Sequence, residues 1–195
     1  MMHEITGESI TDASVLAVKT HEHSPNSKFK FNKVILMVRD PFEALQAEFN
    51  RQSGGHIGHA SANSYKRQGG KHWKSFALNG AIKWENTNTY WFNSFPDPQT
   101  RHVMFYDDLV RDTQHELEKV LDFLNVDITK SQMRCAIRNK EGLYHRSKKK
   151  VVGVDLFDAK MQQSINDIKD RVYKLLQEGK NDVTIFSRTM NASNL

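Results

Sequence analysis

Two short apolar runs in this chain each end in residues that could do chemistry. The first, Ser14–His21, ends with Lys19 and His21. The second, Lys33–Pro41, ends with Arg39 followed by Asp40-Pro41. Histidine titrates near neutral pH and is the usual side chain for taking a proton from a hydroxyl. Alternation along a strand puts Lys19 on the same face as His21, where its charge would steady a developing anion. Arginine offers a planar fork that matches phosphate and carboxylate. A base and a cationic anion-holder carried to one sheet edge suggest group transfer from an anionic donor. Each residue also has a plainer reading. His21 would be a strand-end histidine bonded to a loop, and Arg39 would pair with Asp40, Asp107 or Asp108.

The elements that must position these residues follow from the pattern. Both runs read as buried parallel strands, and open α/β sheets bind ligands at the carboxyl ends of such strands. Asp40 can cap a helix that has Pro41 at its first position. Phe42, Leu45 and Phe49 recur at helical spacing, and the helix should end before Ser53-Gly54-Gly55. Residues 56–70 read as a surface loop. Trp73, Phe76, Trp84, Tyr90, Trp91 and Phe92 read as helical core. A third strand, Arg101–Asp108, carries Tyr106 at its end, and Tyr106 either faces a ligand or fills the core. Thr113 and Glu116 read as a capping box for the next helix. A shorter helix is expected from Lys130 to about Asn139, then a basic loop ending in Arg146 and Lys148–Lys150. A last helix carries Met161, Ile165, Ile168, Val172, Leu175 and Leu176, with Gly179 as its stop. Strands alternating with helices imply a mostly parallel α/β sheet. Residues 1–13 are expected to fray, 14–178 to form the domain, and 179–195 to be a tail.

Composition narrows the classes. The 195 residues are 38% hydrophobic and 26% charged, as in a globular domain. A net charge of +5 fits an anionic ligand or simply a basic surface. The sequence pI of 9.2 and the basic loop are the only arguments for nucleic acid, and no binding motif joins them. No apolar run is long enough to cross a bilayer. Cys135 is the only cysteine, so no internal disulfide can form. His56 and His59 lack further ligands at metal spacing, so no metal is expected. Asn191-Ala192-Ser193 is a glycosylation sequon, a weak hint of a secretory route.

Taken together, these residues resemble a family. Lys19-Thr20-His21 resembles the Lys-Thr-His signature of sulfotransferases that use 3′-phosphoadenosine 5′-phosphosulfate. Val38-Arg39-Asp40-Pro41 resembles their 3′-phosphate-binding strand end, and Phe105–Leu109 their later strand. Arg39–Arg51 with Gly54–Gly58 is similar to the sulfotransferase-like region of WSC-domain-containing proteins. Gly142–Arg146 sits where those have a Gly-x-Phe-x-Arg segment. The resemblance implies a P-loop-NTPase-like three-layer fold that moves a sulfuryl group to a hydroxyl acceptor, a carbohydrate or small molecule. It implies His21 and Lys19 as catalytic residues, and Arg39, Tyr106 and Arg146 as contacts to the donor. The family's opening strand, phosphosulfate loop and helix have no counterpart in the 18 residues before Lys19, so a partial domain is expected. Ala47 stands where cytosolic members have a phosphate-holding serine, a change the WSC-type relatives share. The alternative is an inactive remnant that binds a nucleotide or a protein partner. The resembled proteins are mostly Golgi and membrane-anchored, but no signal or anchor is legible here, which leaves the compartment unassigned.

Overall fold

The computed structural model of the chain describes residues 16–21, 26–141 and 155–192, with side chains described as far as Glu178. After a single 3-10 turn at Ser27–Lys30, the order is β1 (Val34–Val38), α1 (Pro41–Gly54), α2 (Ala62–Lys66), a 3-10 turn, and α3 (Lys71–Ser94). Then come β2 (Arg101–Phe105), α4 (Tyr106–Arg111), α5 (Thr113–Leu124), α6 (Lys130–Arg138) and α7 (Ala159–Ala192). Among the described residues, no helix is long and apolar enough to cross a membrane.

β1 and β2 pair in parallel, with Val34 opposite Arg101 and Val38 opposite Phe105. Leu36 and Val38 are buried on one face, with Trp91, Phe92, Val172 and Leu176 over them. This is the buried, continuous hydrophobic run expected of a parallel strand. α3 is one 24-residue helix, and its aromatic positions do build core. Trp73 is 3% exposed, and its ring meets Phe49 of α1, Tyr65 of α2 and Phe157 just before α7. Gly80 sits where α1 crosses α3. A Cβ there would lie 2.5 Å from Leu45 Cδ2, so the missing side chain sets the helix separation.

Several expectations need correction. Residues 16–21 are not a strand. They form irregular backbone, and Leu16 is 61% exposed. A strand exists only through the hydrogen bonds of a neighbour, and the sheet of described residues holds β1 and β2 alone. The third expected strand stops at Phe105, because Tyr106 already starts α4. Residues 56–70 are not a plain loop. They carry α2, whose Tyr65 is 1% exposed and donates to Asn50 Oδ1 at 3.3 Å. The cap of α5 is Asp112, which accepts from the His115 amide at 3.1 Å. Thr113 instead donates its hydroxyl to the Leu109 carbonyl at 2.8 Å. α7 does not stop at Gly179 but runs on to Ala192. Glycine lowers helix propensity by only about 1 kcal/mol, so it ends a helix only where the chain turns away. The segments 1–15, 22–25, 142–154 and 193–195 lie outside the described residues, and with them the frayed start, the Gly142–Arg146 segment and the basic loop.

Candidate functional site at the carboxyl edge of the sheet

Parallel pairing delivers two side chains together. Val38 and Phe105 are the last partners, so Arg39 and Tyr106 leave the sheet side by side. The Arg39 guanidinium carbon lies 4.6 Å from the centre of the Tyr106 ring. Its Nη2 donates to Glu43 Oε2 at 3.1 Å, one turn into α1. Its Nε is buried and makes no hydrogen bond among the described residues. The side chain as a whole is 35% exposed. One face of the guanidinium therefore rests on a ring, one edge on a carboxylate, and a donor remains unsatisfied. A buried unpaired donor costs about 1–3 kcal/mol; the other N–H groups of this partly exposed fork are the ones that could meet an oxyanion at this edge. The ion pair anticipated with Asp40, Asp107 or Asp108 is made with Glu43 instead.

The backbone beneath Arg39 is held from two more helices. Trp84 of α3 donates its indole N–H to the Arg39 carbonyl at 3.1 Å. Asp40 caps α1, with Oδ1 accepting from the amides of Phe42 at 2.9 Å and Glu43 at 3.4 Å. Its other oxygen, Oδ2, accepts from Lys169 of α7 at 2.6 Å. That hydrogen bond is the main reason the Lys169 ammonium titrates above the ordinary lysine range, against the opposing effect of burial. Lys169 also lies 5.4 Å from the centre of the Tyr173 ring, which in turn meets Phe105 edge-on at 5.6 Å. Burial is the chief cause that pushes the Tyr173 phenol up. Sequence reasoning missed both α7 residues. Their signal was present: Lys169 and Tyr173 are one turn apart and border the apolar stripe of Ile165, Ile168 and Val172.

Lys19 and His21 are exposed and stand on irregular backbone. The charge of His21 reaches Glu48 of α1, whose carboxyl is lowered chiefly by its hydrogen bond from Arg51 and only slightly by His21. Glu48 is seven positions into α1 from Pro41, about 10 Å along the helix at 1.5 Å per residue. The described structure thus brings Arg39 and Tyr106 into contact, while Arg146 lies outside the described residues.

Comparison with known proteins decides the family. The family model for the sulfotransferase domain matches residues 7–168. The chain belongs to the sulfotransferase family. Among its curated relatives is the WSCD family member CG9164 of Drosophila melanogaster, 46% identical over 169 residues, which cover 87% of this chain and 52% of the relative. The WSCD family members GA21586 of Drosophila pseudoobscura pseudoobscura and AAEL009094 of Aedes aegypti are 45% and 41% identical over the same share of each. The chain spans about half the length of these relatives. A crystal structure of mouse sulfotransferase SULT7A1 complexed with PAP superposes with a TM-score of 0.54 and 16% identity, covering 83% of this chain and 65% of that one. The fold is therefore that of a sulfotransferase, and the resemblance drawn from the motifs holds.

At this corner the start of α1 has no spare amide to offer an anion. Pro41 has no amide hydrogen, Phe42 and Glu43 donate to Asp40 Oδ1, and Ala44 donates to the Asp40 carbonyl at 2.9 Å. The helix N-terminus is fully satisfied by its own cap. Among the described residues, no group of three or more His, Cys, Asp or Glu side chains could hold a metal.

Proposed function

We propose that this domain takes part in sulfuryl transfer from 3′-phosphoadenosine 5′-phosphosulfate to a hydroxyl of a carbohydrate or small molecule. The observation that carries the reading is the Arg39 guanidinium at the sheet edge, stacked on Tyr106 and still 35% exposed. In this reading Arg39 holds the 3′-phosphate of the donor. Tyr106 serves donor binding by fixing the plane of that guanidinium, and Arg146 is the second phosphate contact. His21 accepts the proton of the acceptor hydroxyl as its oxygen attacks sulfur. The bond from sulfur to the bridging phosphate oxygen breaks, and adenosine 3′,5′-bisphosphate leaves with the electron pair. Lys19 steadies the charge on that departing oxygen.

Calorimetric titration with adenosine 3′,5′-bisphosphate tests the reading. Saturable binding is expected, and Arg39→Ala should weaken it by about 1.5–3 kcal/mol, roughly 10- to 150-fold. Unchanged affinity in that variant would sink the assignment.

A second reading is a nucleotide-binding module without turnover. It is favoured by the contrast between the fixed Arg39 corner and the exposed, irregular Lys19–His21 segment. Sulfation of a hydroxyl acceptor that falls by about 10²- to 10⁴-fold in His21→Ala supports the first reading. Binding with no transfer at all supports the second.

A further inference from the structure

We propose that Lys169 is a positioning residue for donor binding, acting through Asp40 to aim the Arg39 guanidinium. The inference rests on the reading of Arg39 as the 3′-phosphate holder. Asp40 is the next residue after Arg39 and shares a planar peptide unit with it, so holding Asp40 restricts the Arg39 ψ and with it the direction in which the Arg39 side chain leaves the backbone. Both of its carboxylate oxygens are committed. Oδ1 is committed to the first amides of α1, and Oδ2 to Lys169 at 2.6 Å. The ion pair joins residues 129 positions apart, and its side chains are only 28% and 20% exposed. It is thus better shielded from solvent than the Arg39–Glu43 pair, at 35% and 51%. A pair in this setting holds geometry more firmly than an exposed one. Trp84 holds the Arg39 carbonyl from α3, and Lys169 holds Asp40 from α7. With both in place, the peptide between Arg39 and Asp40 is gripped from two helices, and the guanidinium is presented over Tyr106 in one orientation.

The test compares two ligands, adenosine 3′,5′-bisphosphate and adenosine 5′-monophosphate, which differ only in the 3′-phosphate. Lys169→Met should lower affinity for the bisphosphate by roughly 3- to 30-fold and leave the monophosphate unchanged. Lys169→Arg should restore most of the loss. Asp40→Asn keeps a competent helix cap, since asparagine caps as well as aspartate, but loses the charge that holds Lys169. It should reproduce the Lys169→Met defect, and the double variant should be no worse than either single one. Should Lys169→Met fail to fold, the Asp40→Asn variant carries the same comparison alone. Equal losses on both ligands, no loss, or additive losses in the double variant would overturn the proposal. Arg39→Ala separates the two levels of argument. If it loses the bisphosphate selectively while Lys169→Met does not, Lys169 has no positioning role and the phosphate reading stands. If Arg39→Ala shows no selective loss, the phosphate reading falls and the role of Lys169 falls with it.

Discussion

The Arg39 corner and the Lys19–His21 segment carry the same kind of residues and are held very differently. Arg39 follows a paired strand, starts a capped helix, stacks on Tyr106, and has its backbone gripped from α3 and α7. Lys19 and His21 stand exposed on irregular backbone. The difference teaches that residues of similar chemistry can receive very unequal support from one fold. A charged fork must be aimed, and aiming takes contacts from distant parts of the chain.

The largest effect that would break this comparison is loss of the scaffold under the corner. Phe49 is 3% exposed and packs on Tyr65, Trp73 and Phe76. Phe49→Ala should lower unfolding free energy by about 3–5 kcal/mol in denaturant titration. A loss below 1 kcal/mol would mean that α1 is not anchored through this cluster. Next comes Arg39→Ala, which should cost the bisphosphate about 1.5–3 kcal/mol of affinity yet shift unfolding little. A smaller effect is expected of Asp40→Ala, which removes the α1 cap and should destabilise the fold by about 0.5–2 kcal/mol. Smallest of all, Lys19→Ala and His21→Ala should move unfolding by less than about 0.5 kcal/mol, as for surface positions. A large shift there would show that the segment is packed and would erase the contrast.

Acid and base should also separate regions of the molecule. The Lys169 pKa is raised, so its stabilising contribution is complete below the ordinary lysine range and fades only as pH climbs through the raised value. As pH rises, the corner should therefore hold up to about pH 10. Asp158 and Glu48 titrate low, chiefly through hydrogen bonds from Lys74 and Arg51. Their contributions are complete above the ordinary carboxylate range and fade as pH falls below about 4. Thermal melts should be flat near neutrality and decline in acid, with a shallower acid decline in Lys74→Met. An unchanged acid limb in that variant would remove the Asp158 pair as a cause.

Much of the corner was legible because its rules are local. Asp40-Pro41 announces a capped helix start, and the chain obeys. The apolar run before Arg39 and the one before Tyr106 predict strands, and both form. The run Val15–Val18 carries a similar signal, yet residues 16–21 form no strand. Composition there matches a strand, but pairing depends on a neighbour that composition does not name. Thr113 lost the cap of α5 to Asp112 because either side chain can serve, and the backbone of the preceding turn chooses between them. Tyr65 looked like a loop residue because its neighbours are polar. Its burial comes from Asn50, fifteen positions earlier, and from Trp73.

The sequence by itself determined the family, the presence of β1 and β2, the first helix start and the placing of Arg39 just after the first of those strands, since motif order and local capping act over a few positions. Only the tertiary structure decided that Arg39 lies on Tyr106, that Glu43 rather than an aspartate pairs with it, and that Lys169 reaches Asp40 across 129 positions. Those contacts depend on sheet register and on the packing of α7 against α3. Both are set by the burial of apolar faces spread along the whole chain, which no local spacing records.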